Sequence, residues 1–284
     1  MQQAQRQQTQ TTRDIRSVVD ATKDYYDGPA DEIYRNIWGE NIHIGYFKSA
    51  DETLPEAMKR SNEMMAKPVE LGESDTVLDV GCGYGALARF LARNFGCEVV
   101  ASNISDRELE WGRELTKEQG LDDKVSFEWA DFHELPYKSN TFEYYWSQEA
   151  FLHAVDKSVV IDEAARVLKP GGQLVFTDLL VREGTSEEDR ERIYARVNSP
   201  DMWDTHHYKR ALEDAGLKVV THQNWSDNVA PTYAWVRDQL EARRDEFEQR
   251  IGKDVVDRTS AALQFWVDAA NDDKIGWEYF VAAK

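Results

Sequence analysis

Cysteine is nearly absent from the chain: Cys82 and Cys97 are the only two in 284 residues. A disulfide framework and a cysteine-based zinc site are thereby excluded, and a reducing compartment is expected. No apolar run approaches the roughly 20 residues that cross a bilayer. The opening stretch MQQAQRQQTQTT lacks the apolar segment of a secretory signal, so a cytoplasmic location is expected. Positive charge is also scarce. Against 53 Asp and Glu stand 34 Lys and Arg, a net charge of −19, and the cations form no run longer than a pair such as Arg243-Arg244. Such a surface repels phosphate backbones and anionic headgroups, which argues against nucleic acid and membrane as partners. There is no internal repeat.

What is present is enough to fold. Hydrophobic residues make up 41% and aromatics 11%, nine of them Trp, far from the composition of a disordered chain. The acidity has two readings. One is an ordinary acidic cytosolic enzyme; the other is adaptation to molar salt, where the Debye length falls to about 3 Å and self-repulsion is screened. Arg outnumbers Lys, 20 to 14, and the acids spread from Asp14 to Glu278 without forming a tail, which favours the halophilic reading.

Residues 1–12 read as a low-complexity tail, and residues 13–70 as a helical N-terminal layer broken at Asp27-Gly28-Pro29. From residue 71 to about 180, short apolar runs alternate with amphipathic stretches. Strands are predicted at 76–80, 98–102, 125–129, 142–146 and 173–178, with helices near 85–95, 105–119 and 157–168. This rhythm implies a doubly wound α/β fold with a mostly parallel sheet and ligands at the carboxyl ends of its strands. Residues 181–284 are predicted to hold cap helices at 186–197, 204–215, 230–250 and 253–271, and strands at 218–222 and 276–282.

The sharpest motif is Val77-Leu78-Asp79-Val80-Gly81-Cys82-Gly83-Tyr84-Gly85, a buried-type strand that runs through alternate glycines into a helix. Gly81 and Gly83 permit dihedrals and close approaches that a Cβ forbids. A dinucleotide loop has the spacing GxGxxG. Here the spacing is GxGxG, and Asp79 would repel a pyrophosphate while suiting a cationic amino-acid ligand.

On this motif the chain resembles the class I S-adenosylmethionine-dependent methyltransferases over about residues 70–180. The resemblance implies a seven-stranded Rossmann-like sheet, S-adenosyl-L-methionine as cofactor and no metal. It also implies a cofactor set of Tyr26, Trp38, Asp79, Gly81, Gly83, Asn103, Ile104, Asp131, Phe132 and Gln148. In that family an acidic residue ends the second strand and holds the ribose; Asn103 departs from it, an uncharged and weaker hydrogen-bonding group. Asp131 and Phe132 stand where the family contacts adenine.

The segment Tyr34-Arg35-Asn36-Ile37-Trp38-Gly39-Glu40-Asn41-Ile42-His43-Ile44-Gly45-Tyr46 looks like the lid of small-amine N-methyltransferases. In the phosphoethanolamine enzymes a Tyr of the lid region pairs with a His after the fourth strand. Tyr26 and His153 match that pair and are the expected catalytic residues. Those enzymes grip phosphate with an Arg and a Tyr, where this chain has Asn198 and Pro200. The loop Arg196-Val-Asn-Ser-Pro-Asp-Met-Trp203 therefore looks more like that of the betaine-forming sarcosine and dimethylglycine N-methyltransferases. Expected substrate-binding residues are Tyr26, Trp146, Arg196, Asn198, Pro200, Met202, Trp203 and Tyr208, the aromatics as walls for a methylated ammonium. The expected partner is a small amino-acid-like amine, and the expected state a monomer or homodimer. A phosphoethanolamine-type N-methyltransferase or a small-molecule C-methyltransferase remains the alternative.

Overall fold

A computed structural model describes residues 17–23, 34–49 and 51–284. The predicted tail 1–12 and Tyr26 lie outside the described residues.

Seven strands form one sheet: β1 (Thr76–Val80), β2 (Glu98–Asn103), β3 (Val125–Trp129), β4 (Phe142–Gln148), β5 (Leu168–Val181), β6 (Lys218–Asn224) and β7 (Ile275–Ala283), in the order β3-β2-β1-β4-β5-β7-β6. The pairs among β1 to β5 are parallel, while β7 runs antiparallel between β5 and β6. The apolar runs read as strands are buried on both faces, as in Val77, Leu78 and Val80 of β1. Helices α1 (Leu54–Ala66), α2 (Ala86–Phe95), α3 (Asp106–Glu118) and α4 (Lys157–Val167) serve the parallel half, and α5 (Glu187–Val197) and α6 (Thr205–Asp214) lead to β6. Strand order reverses between β1 and β4, so the crevice beyond their carboxyl ends is the topological switch point where such sheets bind ligands. In register there, Asp79 lies level with Ala101 on one side and Trp146 on the other.

Between β6 and β7 the chain inserts α7 (Val229–Ala242), α8 (Arg244–Ile251) and α9 (Lys253–Asn271). The single helix predicted over 230–250 is two, because Arg243 leaves helical geometry at φ −114° and ψ 24°. Its guanidinium instead grips Glu246 and donates to the carbonyl of Asn36 at 2.8 Å. The predicted fifth strand also starts earlier, since Gly171 (φ +83°) lets the Pro170-Gly171-Gly172 stretch stay in the sheet edge.

The insertion seats the N-terminal layer. Trp38, at the end of a π-helical turn Tyr34–Trp38, packs edge-on against Tyr233 of α7 with ring centroids 6.0 Å apart. The segment after it has no regular secondary structure, yet four consecutive backbone N–H groups are bonded. Ile44 donates to Glu149 Oε2 (3.1 Å), Gly45 to Thr232 Oγ1 (3.1 Å), Tyr46 to the Ala57 carbonyl (2.9 Å) and Phe47 to Asn228 Oδ1 (2.7 Å). Buried backbone donors need such partners, and here three side chains and one carbonyl of α1 supply what a strand would.

Gly45 is required by space. A Cβ there would lie 2.7 Å from Ala57 Cβ and 2.8 Å from Leu54 Cδ1 of α1. Gly45→Ala is expected to push the segment off α1 and to destabilise the protein by about 1–3 kcal/mol, a loss readable as a lower urea midpoint. An unchanged midpoint would contradict this packing.

Candidate active site

The loop after β1 is bent so tightly that Gly81 N and Cys82 N both donate to the Ser102 carbonyl of β2, at 2.9 and 3.1 Å. Gly81 sits at φ +72°, and a Cβ on it would collide with Ala150 beyond β4. Gly83 has open space around it but φ +51°, so its backbone rather than its surroundings asks for glycine. Beneath the loop, Asp79 is fully buried; it receives the Ala88 N–H, and burial pushes its pKa up to about 7. Its Oδ2 finds no hydrogen-bond partner among the described residues. A buried carboxylate oxygen without a donor is costly, and a cationic group in the crevice would satisfy it.

Asn103, ending β2, is spent locally: Oδ1 accepts from Ile104 N at 2.8 Å and Nδ2 donates to Glu108 Oε2 at 2.5 Å. Asn103, Ile104 and Glu108 of α3 all line the crevice, which brings an acidic side chain beside Asn103. After β3, Ala130 and Phe132 line it too. Asp131 does not: its Oδ1 accepts from the backbone N (2.9 Å) and Nδ1 (2.8 Å) of His133.

The opposite wall comes from the N-terminal layer and from the turn after β4. Thr22, Lys23 and residues 40–43 line it together with Gln148, Glu149, Ala150 and His153, and the cleft encloses about 950 Å³, open mouth included. Glu40 pairs with buried Arg89 at 2.8 Å, and Arg89 also donates to the Tyr84 carbonyl at 2.6 Å, tying the lid to the glycine loop. Asn41 contacts His43 Nε2 (3.2 Å) and Asn62, whose Oδ1 accepts from Gln148 Nε2 at 3.0 Å. His43 and His153 are fully buried, and that desolvation depresses each to about 4, so both imidazoles are neutral near pH 7. Glu149 shows the opposite shift, raised by burial to about 7.

A methyltransferase domain model matches residues 78–176. Over 276 residues the chain is 34% identical to the sarcosine/dimethylglycine N-methyltransferase of Halorhodospira halochloris, covering 96% of this chain and 99% of that one. It is 33% identical to the enzyme of the same description from Aphanothece halophytica, over 92% and 95% of the two chains. The protein is a class I S-adenosylmethionine-dependent methyltransferase. Within that class it belongs to the sarcosine/dimethylglycine N-methyltransferase family. The crystal structure of a candidate sarcosine dimethylglycine methyltransferase from Galdieria sulphuraria superposes with a TM-score of 0.86 at 30% identity, covering 92% of this chain and 98% of the other.

Of the residues singled out by sequence, the methyltransferase brings Asp79, Gly81, Asn103, Ile104, Phe132, Gln148, Gly83 and His153 to one cleft. Others fall elsewhere. Trp146 is buried inside the sheet core, and Trp38 is held in the core against α7. Tyr208 donates its hydroxyl to buried Asp178, and Trp203 packs edge-on against it at 5.3 Å. Met202 is buried, Pro200 exposed, and Arg196 half-buried on α5. None of these lines the cleft, and neither does Asn198, whose backbone is hydrogen-bonded to the His153 ring. No helix among the described residues is long and apolar enough to cross a membrane. No group of three His, Cys, Asp or Glu among them is placed to hold a metal.

Glu149, Glu108, Asn41 and His43 were not picked out from the sequence. Glu149 had a usable signal, since it lies between Gln148 and His153 at the carboxyl end of a sheet strand, where ligands bind.

Because its pKa is raised, ionised Asp79 costs folding stability, a cost absent at pH 4 and complete above about pH 7. Asp79→Asn is therefore expected to raise the melting temperature at pH 8 in the absence of cofactor, with the gain fading toward pH 5. The same variant should weaken S-adenosylhomocysteine binding by about 10-fold or more, the worth of a charged hydrogen bond. Calorimetric titration and melts at both pH values check the two signs, and unchanged affinity would remove Asp79 from the site.

Proposed function

We propose that the protein methylates sarcosine and dimethylglycine toward glycine betaine. One observation carries this choice among acceptors. The described residues lining the cleft include four carboxyls, Glu40, Asp79, Glu108 and Glu149, against one cation, Lys23, which is itself paired with Asp106 at 2.7 Å. No Arg is among them. A cleft of that sign suits a cationic cofactor and a zwitterionic amine, and it repels a phosphate ester. Asn198 and Pro200, standing where phosphoethanolamine enzymes grip phosphate, agree with it. The near-full-length match to sarcosine/dimethylglycine N-methyltransferases supports the same reading.

S-adenosylmethionine, when bound, supplies an electrophilic methyl group on a sulfonium. Asp79 Oδ2 would hold its ammonium, the Gly81 backbone would allow the close approach, Asn103 with Glu108 would take the ribose hydroxyls, and Ile104 and Phe132 would flank the adenine. Neutral donors at the inner wall, Asn41 and Gln148, suit the acceptor's carboxylate. The acceptor needs a free lone pair, and a neighbouring cation disfavours its protonated form. The lid's part is to exclude water and fix the line of attack, from which most of the rate is expected. Tyr26 with His153 is proposed to latch that lid, His153 as the neutral imidazole that burial makes it. The net charge of −19 supports an enzyme that works in a saline cytoplasm.

Methyl transfer should be assayed with glycine, sarcosine, dimethylglycine and phosphoethanolamine at about 0.1 and about 2 M NaCl. Sarcosine and dimethylglycine are expected to turn over, with activity retained in high salt; turnover of phosphoethanolamine alone would overturn the assignment. Tyr26→Phe and His153→Ala should each lower kcat by about 100-fold or more while leaving S-adenosylhomocysteine affinity within about threefold. Wild-type turnover in both would remove the latch.

A further inference from the structure

Glu149 lines the cleft, and beyond its charge the methyl-transfer scheme gives it no contact with cofactor or amine. It sits directly after β4 in the left-handed region, at φ +46°, a conformation that a side-chain-bearing residue keeps only when its surroundings enforce it. The enforcement is visible. Its backbone N–H donates to the Thr177 carbonyl of β5 at 2.9 Å. The carboxylate Oε1 accepts from Thr177 Oγ1 and from Trp277 Nε1 of β7, both at 2.6 Å. Oε2 accepts from Ile44 N at 3.1 Å. Two of these three donors, the indole and the backbone amide, can only donate, one to each oxygen, so both carboxyl oxygens must accept. An isosteric glutamine would set its own NH₂ against one of them in either orientation.

Four groups pin the backbone of residues 44–47, and of these Glu149 alone both titrates and lines the cleft. The pinned residue, Ile44, follows His43, whose Nδ1 lies 3.0 Å from the Ile44 carbonyl, and that carbonyl also accepts from Ser61 Oγ at 2.7 Å. We propose that Glu149 is a positioning residue of the methyl transfer, whose carboxylate fastens the lid segment 43–47 to β5 and β7 and so holds His43 and Asn41 at the cleft wall. The inference rests on the reading that a small amine is methylated beneath this lid.

It follows that the lid closes best when Glu149 is ionised. Protonation removes the charge that strengthens the bonds from Ile44 N and Trp277 Nε1, and only Thr177 Oγ1 can accept the added proton. Since burial raises its pKa to about 7, closure and turnover should fall as pH drops through that value. The groups facing it are neutral His43 on the lid, His153 and Asp79 in the cleft, and Asp178 on β5, which has Lys157 and Tyr208 behind it. Of these, Asp178 repels the Glu149 charge directly.

Full-length Glu149→Gln, Thr177→Val and Trp277→Phe variants test this with hydrogen exchange of residues 42–47, S-adenosylhomocysteine titration and pH–rate profiles with dimethylglycine. In Glu149→Gln, exchange in the lid segment is expected to rise about 10-fold or more and kcat/KM to fall by a similar factor at pH 8, with S-adenosylhomocysteine affinity within about threefold. The wild-type limb near pH 7 should vanish in Glu149→Gln. In Thr177→Val and Trp277→Phe it should move to higher pH, because each removes a donor that favours the charged form. A lid that exchanges at the wild-type rate in Glu149→Gln, or a limb that neither variant moves, would overturn the proposal. If Glu149→Gln does not fold, the two donor variants decide it by the shift alone. If the wild type methylates none of the amines, the substrate reading fails by itself, while lid exchange measured between pH 6 and 8 still judges Glu149.

Discussion

Carboxyl groups taken out of water at the carboxyl end of a parallel sheet are the constraint on which this structure turns. Asp79 and Glu149 flank the switch point between β1 and β4, one at the foot of the glycine loop and one in the turn after β4. Burial raises both. They are resolved in different ways: Asp79 retains an oxygen without a protein donor, whereas Glu149 is saturated by donors from three elements. The first leaves affinity for a cation, and the second converts the same electrostatic cost into the attachment of a lid. Binding and closure are thus two answers to one problem, the need of a buried carboxylate for partners.

The insertion between β6 and β7 belongs to the same arrangement. Asn228 and Thr232 at the start of α7, and Arg243 at its end, bond the backbone of residues 36–47. A segment with no strand partner would otherwise carry unsatisfied amides over the site. The distant helices therefore hold this backbone from one side, while the sheet holds it from the other through Glu149. Arg89 adds the third tie, linking Glu40 of the lid to the glycine loop, so a lid displaced at one point is strained at the others.

Much of this was legible in the chain. Alternating apolar and amphipathic stretches gave the parallel strands to within a few residues, because doubly buried strands leave a continuous apolar signature. The GxGxG loop pointed to Asp79 and Gly81, since left-handed backbone at Gly81 and Gly83, and Ala150 close against Gly81, ask for glycines there. The aromatic walls were less legible. Trp146 and Tyr208 carry a composition that serves a methylammonium pocket and a hydrophobic core equally well, and the fold uses both inside. Glu108 was hidden because it lies within α3 and approaches Asn103 only in three dimensions. Glu149 was hidden because its three donors come from residues 44, 177 and 277, pairings that no local pattern encodes.

The overall charge and the charge of the cleft act on different scales. With a Debye length of about 8 Å at physiological ionic strength and about 3 Å at 1 M, salt screens the exposed acids that dominate the −19. Buried Asp79, and Glu149 held by three donors, are screened less than the exposed acids. High salt therefore relieves the repulsion that opposes folding while leaving the attraction of the cleft for a cationic cofactor nearly intact. An acidic surface and an acidic site, which compete in dilute buffer for the same limited stability, become compatible in brine, and the separation depends on the depth at which the sheet buries its two carboxyls.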